Sequence, residues 1–287
     1  MVSKTTEQPA VRAVIFDWAG TLVDFGSTAP TSAMVELFRQ HDVTVTEEDV
    51  RSPMGLGKRE HILAMSKLPG VMRSWQAAFG RPIELVDVDR LYEELRPRLV
   101  AAAERRSDII PGVLDTIAEL RARGVRIGST TGYTRDVMVP VVRRSFEQGL
   151  DLDSVVCADE VALSRPTPIA IYKSLIELAV WPTHRVIKID DTVPGLLEGK
   201  NAGCWTVGVA TTGNAIGRTI EQWQSLSAGE RSAIRSRAHA DLREAGPDFV
   251  IDGVADLLPI VDQIEEFIAA GVLPNASRPD QTFGASH

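Results

Sequence analysis

The chain has little cysteine, no long basic run and no long apolar run. Only two of its 287 residues are cysteine, so no disulfide framework is indicated and a reducing, cytoplasmic setting is expected. The net charge of -8 argues against a protein that follows nucleic acid or binds an anionic membrane. No run approaches the roughly 18 apolar residues that span a bilayer, and the start MVSKTTEQPA lacks the apolar centre of a signal peptide. We therefore expect a soluble, globular protein with neither nucleic-acid nor membrane partners.

The sequence predicts an α/β fold with a parallel sheet. Short β-branched runs alternate with amphipathic helical patterns from about Pro111 onward, which is typical of a parallel sheet covered by helices. The first strand has the continuous apolar character of a central strand that is buried on both faces. The candidate strands are 13–17, 125–129, 154–157, 185–189, 204–208 and 249–251. The candidate helices are 113–123, 135–146, 168–179 and 193–202.

The segment 26–106 has helical patterning and no convincing strand. It would stand between the first strand and the rest of the sheet, above the carboxyl ends of the strands, where open α/β sheets place their sites. We therefore predict a core domain of residues 1–25 and 107–270, with 26–106 as a helical cap domain. Residues 271–287 are predicted to be a disordered tail, because they are rich in Asn, Ser, Pro and Gly.

Polar side chains follow three of the predicted strands, at the point where each strand ends. Asp17 follows the first strand, and Gly20 behind it would let backbone amides approach a phosphate. The hydroxyl-rich segment 129–133 follows the second, where the start of a helix offers a site for phosphate oxygens. Asp190 and Asp191 follow another, and adjacent carboxylates suit Mg²⁺. Each segment also has a plain structural interpretation, as a helix cap or a solvated turn.

Arg165 precedes a predicted helix, and its charge could balance a phosphoryl group and an attacking carboxylate, although most loop arginines are surface residues. Side chains alternate along a strand, so only one of Asp190 and Asp191 is expected to reach a metal.

This ordered series of strand-end residues resembles the haloacid dehalogenase superfamily. Members use the first Asp as nucleophile, a Thr or Ser to hold the phosphoryl group, a Lys or Arg to balance charge, and a late acidic motif for Mg²⁺. The resemblance implies a Rossmann-like core with an inserted helical cap.

The residue two places after the first Asp is unusual. In the common motif D-x-D-G-T this place holds a second Asp, which protonates the leaving group, but here it holds Ala19. A phosphatase that expels an alkoxide needs that proton. A reaction in which carbon leaves phosphorus, with an imine beside it as electron sink, needs no acid at position 19.

The segment RSPMGLGKREH in the helical insertion offers an amine for such an imine. If a helix begins near Gly57, Lys58 and His61 lie three residues apart and share a face. Desolvation would lower the pKa of the lysine and free a nucleophile toward aldehydes. The alternative is an exposed lysine on a cap helix. The glycines do not fit a phosphate-binding loop or a dinucleotide motif, because both fail on spacing.

The segments DWAGT, PMGLGKREH, TGY and DDT together resemble the phosphonatase branch of the superfamily, whose members hydrolyse phosphonoacetaldehyde. The resemblance implies a small phosphonate substrate, Mg²⁺ and a homodimer that pairs through the cap. It also implies roles for individual residues. These are Asp17 as nucleophile and metal ligand, Lys58 as Schiff-base amine, His61 in proton transfer, Thr131 and Gly132 on phosphoryl oxygens, Arg165 in charge balance, Met54 and Tyr133 as pocket walls, and the Ala19 carbonyl and the Asp191 carboxylate as metal ligands.

One departure from the family and two alternatives stay open. Some members carry Gly-Asp where this chain has Asp190 and Asp191, and an Asp where it has Gly195, so a carboxylate has been moved or lost. One alternative function is a phosphatase acting on O-phosphate esters, with Lys58 only a binding cation. The other is a catalytically silent member that acts as a binding protein.

Overall fold

The computed structural model describes residues 9–275 and contains a six-stranded parallel sheet in the order β3-β2-β1-β4-β5-β6. The α/β fold predicted from the sequence is confirmed, and each predicted strand is present within one residue at its ends. The first strand lies at the centre of the sheet and is fully buried. The strands are β1 Ala13–Phe16, β2 Arg126–Thr130, β3 Ser154–Val156, β4 Val186–Asp190, β5 Trp205–Val209 and β6 Phe249–Ile251.

The segment 26–106, which we call the helical insertion, contains helices and no strand. Its helices are α1 Thr28–Gln40, α2 Glu47–Arg51, α3 Lys58–Met65, α4 Pro69–Phe79 and α5 Leu85–Arg105. Pro53 and Pro82 lie between helices, and Pro69 is the first residue of α4, a position where its missing N–H costs nothing. The insertion shares one continuous apolar core with the sheet and its helices.

The remaining helices flank the sheet. They are α6 Val113–Ala122, α7 Arg135–Glu147, α8 Ile169–Leu178, α9 Val193–Ala202, α10 Ile220–Ser225, α11 Ala228–Glu244 and α12 Leu257–Ala269. The sequence analysis predicted the first four of these and assigned no helix to the last three. After α12, the backbone N–H of Asn275 donates to Asp248 Oδ1. The rest of the predicted tail, 276–287, lies outside the described residues.

The parallel register brings the polar strand ends to one level. Phe16, the last residue of β1, pairs with Ser129 of β2 on one side and with Ile189 of β4 on the other. The next backbone N–H, that of Asp17, donates to the Ile189 carbonyl at 2.9 Å. Asp17, Thr130 and Asp190 therefore meet at the same edge of the sheet, as the sequence predicts.

The helical insertion meets this edge through glycines. A Cβ atom on Gly132, just after β2, would lie 2.9 Å from the Leu56 carbonyl oxygen of the insertion. A Cβ atom on Gly55 would lie 2.3 Å from Thr192 Oγ1, and Gly55 also has a φ of +95°, which disfavours other residues. The insertion can approach the sheet this closely only because both positions lack a side chain.

We expect Gly132→Ala to force residues 54–58 away from the sheet edge, because backbone cannot give way as a side chain does. The cost of such overpacking is about 1–3 kcal/mol of unfolding free energy. Hydrogen exchange of residues 54–58 should increase. Gly229→Ala is the control, because a Cβ atom there contacts nothing within 4 Å. Unchanged exchange in Gly132→Ala would show that the two backbones are not in contact.

Candidate active site

A small cavity of about 30 Å³ lies between the carboxyl edge of the sheet and the helical insertion. It has room for little more than a water molecule. Its wall includes all but one of the site residues that the sequence analysis singled out. These are Asp17, Ala19, Met54, Lys58, Thr131, Gly132, Tyr133, Arg165 and Asp191. Residues from five separate segments of the chain thus meet at one site.

Asp17 lies directly after β1 and forms a buried ion pair. Its Oδ1 atom is 2.9 Å from NH1 of Arg165, which comes from the loop before α8. Burial raises the pKa of the Asp17 carboxyl, and the nearby Asp190 carboxylate raises it further, while Arg165 acts in the opposite direction. Arg165 is therefore a buried partner of the predicted nucleophile, and the alternative of a surface arginine is wrong.

Three carboxylates converge beside this ion pair. Asp17, Asp190 and Asp191 each offer an oxygen, and these oxygens lie within 4.8 Å of one another. Oxygen atoms of both Asp190 and Asp191 lie in this cluster, but only Asp191 is on the cavity wall, so the expectation that one of the two reaches a metal stays a prediction. Strand β4 ends at Asp190, so the alternation of side chains no longer applies to Asp191, which lies in the turn beyond.

The cluster fits a small divalent cation. Asp191 Oδ2 accepts a hydrogen bond of 2.6 Å from the Asn214 backbone, whereas its buried Oδ1 atom has no hydrogen-bond partner among the described residues. Burial raises the pKa of Asp191 well above its usual value, and the carboxylates of Asp17 and Asp190 add to the shift. A cation bound by these oxygen atoms would offset the repulsion between the carboxylates and give Asp191 Oδ1 a partner.

Glycines make the room for these carboxylates. A Cβ atom on Gly20 would lie 2.3 Å from Asp191 Oδ2, and one on Gly213 would lie 2.3 Å from the Asp191 Cβ atom. Gly20 has a φ of +87°, so a side chain there would also strain the backbone. Gly20 therefore makes room for Asp191, in addition to its expected role of letting backbone amides approach a phosphate.

Asp190 occupies the space that a side chain at position 195 would need. A Cβ atom on Gly195 would lie 1.9 Å from Asp190 Oδ2 and 2.1 Å from its Cγ atom. The other oxygen of Asp190 accepts hydrogen bonds from the backbone N–H and the hydroxyl of Thr192. The Asp190 carboxylate and a side chain at position 195 therefore cannot occupy this space together.

Lys58 is the first residue of α3 and lies inside the cavity. Only 7% of its surface is exposed, so the alternative of an exposed lysine is wrong. Its Nζ atom lies 5.3 Å from the centre of the Tyr133 ring and 3.9 Å from Met54 Sδ. Burial lowers the pKa of Lys58 to about 8, with Asp17 opposing this shift and Arg165 adding to it. An appreciable fraction of the Lys58 amine is therefore neutral near physiological pH.

His61 lies one turn along α3 from Lys58 but is not on the cavity wall. It is fully buried, and its Nε2 atom is 2.7 Å from the Val50 carbonyl. Its Nδ1 atom has no hydrogen-bond partner among the described residues. Burial, followed by the charge of Lys58, lowers the pKa of His61 to about 3, so the ring is neutral. Its role in proton transfer stays a prediction, and contact with a ligand in this cavity would require movement.

Two buried charged residues behind the cavity were not predicted from the sequence. Lys188 lies in the middle of β4 and Glu198 on the buried face of α9, and neither is exposed. Lys188 had a detectable signal, because it is a charged residue inside an otherwise apolar strand. Glu198 had none, because an acid in a helix is usually exposed.

Comparison with known proteins identifies the same family as the sequence motifs. A family model described as haloacid dehalogenase-like hydrolase matches residues 11–203. The phosphonoacetaldehyde hydrolase of Paraburkholderia xenovorans is 45% identical over 264 residues, which are 92% of this chain and 99% of the relative. The phosphonoacetaldehyde hydrolase of Aeromonas hydrophila is 46% identical over 275 residues, which are 95% of this chain and 98% of the relative.

A solved structure extends the similarity to three dimensions. It is a phosphonoacetaldehyde hydrolase-like protein from Oleispira antarctica, with a TM-score of 0.91 and 39% sequence identity. The alignment covers 93% of this chain and 97% of that chain. Among the helices of residues 9–275, none has the length and apolar character needed to cross a bilayer.

We expect Gly195→Asp and Asp190→Gly to destabilise the protein separately and to compensate each other when combined. Gly195→Asp would place a second carboxylate in the space that Asp190 occupies. Asp190→Gly would remove the carboxylate that lies 3.1 Å from the buried charge of Lys188. The coupling should amount to about 0.5–3 kcal/mol in urea unfolding. Additive losses in the double variant would mean that the two positions do not share this space.

We expect Lys58 to react with formaldehyde and cyanoborohydride at a lower pH than a free lysine amine. A pKa of about 8 leaves roughly a tenth of the amine neutral at pH 7, because the neutral form dominates only above the pKa. Peptide mapping across a pH series should show half-maximal methylation of Lys58 near pH 8, and Lys58→Arg is the control that removes this peptide. A midpoint near about 10.4 would contradict the desolvation of this amine.

Proposed function

Because this chain belongs to the haloacid dehalogenase-like hydrolases and, within them, to the phosphonoacetaldehyde hydrolase family, we propose that it hydrolyses phosphonoacetaldehyde to acetaldehyde and phosphate. The observation that carries this proposal is the presence of the buried amine of Lys58 in the same cavity as Asp17 and Arg165. The cavity has a neutral methyl group, that of Ala19, where an ester phosphatase needs an acid.

The first half of the reaction uses Lys58. Its neutral amine attacks the aldehyde carbon, and loss of water gives an imine. Protonation of the imine nitrogen makes the C=N group an electron acceptor. Tyr133 and Met54, which flank the amine, restrict the position of the two-carbon unit and limit access of water.

The second half uses Asp17. One carboxylate oxygen of Asp17 attacks phosphorus, and the electron pair of the P–C bond moves into the protonated imine to give an enamine. No proton is needed on the departing carbon at this step, which explains how Ala19 can stand in place of an acid. Water then hydrolyses the aspartyl phosphate to phosphate. The enamine takes a proton on carbon, and water releases acetaldehyde and restores the Lys58 amine.

Phosphoryl charge requires compensation in this buried site. Arg165 supplies one positive charge to Asp17 and to the group that it attacks. We propose that Mg²⁺ is bound by the carboxylates of Asp17 and Asp191 and the backbone carbonyl of Ala19, with Asp190 beside them. Mg²⁺ would supply further positive charge at the phosphoryl oxygens. Thr131 and Gly132, which also line the cavity, would hold these oxygens.

The small volume of the cavity implies that the helical insertion opens to admit the substrate. We therefore propose that 26–106 acts as a cap domain that moves relative to 1–25 and 107–270. Homodimer formation through the insertion is also proposed, supported by its exposed Met72, Leu85 and Val86. A cytoplasmic location is supported by the two free, buried thiols of Cys157 and Cys204.

The two alternative functions are less well supported. An O-phosphate ester phosphatase would need a group that protonates an alkoxide, and the acids on the cavity wall, Asp17 and Asp191, belong to the nucleophile and the cation cluster. A catalytically silent protein would have no need for the buried ion pair and the desolvated amine together. Both alternatives remain distinguishable by the experiment below.

We expect borohydride reduction in the presence of phosphonoacetaldehyde to attach the two-carbon unit to Lys58, because reduction converts the imine to a stable secondary amine. Peptide mapping by mass spectrometry should locate the adduct there. Lys58→Arg keeps a positive charge but cannot form the imine, so it should lose the adduct and acetaldehyde release together. Turnover of phosphate esters that persists in Lys58→Arg would favour the phosphatase instead.

The matched control for this experiment is Asp17→Asn. It keeps the size of the side chain and removes the nucleophilic carboxylate, so the Lys58 adduct should still form while phosphate release is lost. Absence of any adduct in the natural protein under turnover conditions would reject the Schiff-base route. Release of phosphate by Asp17→Asn at an unchanged rate would reject the nucleophile.

A further inference from the structure

A set of buried charged and polar side chains lies behind Asp17, on the side away from the cavity. It consists of Thr130 on β2, Lys188 on β4, Glu198 on α9 and the guanidinium of Arg165, and we call it the charge network. Thr130, Lys188 and Glu198 are each fully buried. Only Arg165 of the four is on the cavity wall. The network therefore reaches the cavity through Arg165 and the carboxylate cluster through Lys188, whose Nζ atom lies 3.1 Å from Asp190 Oδ2.

Each nitrogen atom of the Arg165 guanidinium lies within 2.9 Å of an oxygen atom, although Nε pairs with its oxygen by charge and has no hydrogen bond among the described residues. NH1 lies 2.9 Å from Asp17 Oδ1. NH2 donates to the Thr130 carbonyl at 2.7 Å and to the Thr130 hydroxyl at 2.9 Å. Nε lies 2.9 Å from Glu198 Oε2. Because the guanidinium is planar and rigid, fixing Nε and NH2 also fixes the direction in which NH1 points.

The Thr130 hydroxyl connects the members of the charge network, and all of its hydrogen-bonding positions are occupied. It donates to Glu198 Oε2 at 2.9 Å and accepts from Lys188 Nζ at 2.9 Å as well as from Arg165. A hydroxyl has one donor and two acceptor positions, so all three are used. Glu198 Oε2 thus accepts a hydrogen bond from Thr130 and forms an ion pair with Arg165, and Lys188 Nζ lies 3.6 Å from it.

Glu198 reaches the network because α9 lies very close to β4. A Cβ atom on Gly199 would be 2.6 Å from the Cβ atom of Lys188, so only a glycine allows this approach. Buried ion pairs add little net stability compared with apolar residues of similar volume. Stability alone is therefore a poor explanation for a buried glutamate and lysine at this place.

We propose that Glu198 is a positioning residue for phosphoryl transfer, which holds Arg165 so that NH1 faces Asp17, with Lys188 and Thr130 completing its contacts. Glu198 is not on the cavity wall and acts on Asp17 through Arg165. This inference rests on the proposed function, but it concerns the Asp17 half of the reaction and leaves the Lys58 half unchanged.

The test is Glu198→Gln, which keeps the shape of the side chain and removes its charge. We expect kcat for phosphate release to fall by about 10- to 100-fold, as for a misplaced catalytic group. The Lys58 adduct trapped by borohydride should form at the normal rate. In Arg165→Lys, where the planar fork is already lost, Glu198→Gln should cause no further loss, since residues that act as a unit are not additive.

A merely structural role gives a different pattern. Glu198→Gln would then lower the melting temperature with unchanged kcat for the folded fraction, or its loss would multiply with that of Arg165→Lys, and either result would overturn the proposal. If Glu198→Gln does not fold, Thr130→Val removes the shared hydroxyl at constant volume, and the same pattern is expected of it.

Failure of the proposed function can be told from failure of this inference. If the natural protein forms no Lys58 adduct and releases no phosphate from phosphonoacetaldehyde, the proposed function is wrong. Calorimetric titration with inorganic phosphate then tests the positioning alone. Glu198→Gln should weaken phosphate binding about 10-fold in an otherwise unchanged protein and have no effect in Arg165→Lys, whereas equal affinity in Glu198→Gln and the natural protein would reject the inference.

Discussion

The burial of charge at the carboxyl end of β1 is the constraint on which the rest of the site depends. Asp17 is buried among other carboxylates, and its ion pair with Arg165 is what makes this arrangement tolerable. Isolated charges are too costly to bury, so each buried acid requires a cation or hydrogen-bond donors. Arg165, Lys188 and the proposed Mg²⁺ meet that requirement from different sides. The same arrangement makes the site ready for a phosphoryl group.

The helical insertion adds the second chemical function by removing water. Lys58 lies on its α3 helix, and the contact of the insertion with the sheet edge buries the amine and lowers its pKa to about 8. The same burial thus shifts the two kinds of pKa in opposite directions, because desolvation favours the neutral form of the lysine and the protonated form of the acids. The chemistry proposed here needs the neutral amine and a cation-compensated carboxylate at the same time. Glycines at the contact, such as Gly55 and Gly132, allow the closure.

Much of the fold and part of the candidate site could be predicted from the sequence. The alternation of strands and helices, the helical insertion and the strand-end position of Asp17 follow from local patterns, since periodicity and strand-end position are written in neighbouring residues. The contrast between Ala19 and the usual second Asp pointed to carbon as the leaving group. The sequence did not indicate that Asp190 and Asp191 both face the cluster, because the argument from alternation ends where the strand ends.

What the sequence alone determined is the set of reactive groups and their order along the chain. Only the tertiary structure decided which of them are desolvated and which share a contact. Position 195 lacks a side chain because Asp190, five residues earlier, occupies its space, and Glu198 supports Arg165 because α9 lies against β4. The physical reason is that burial and charge compensation depend on distances between residues far apart in the chain, which local pattern cannot encode.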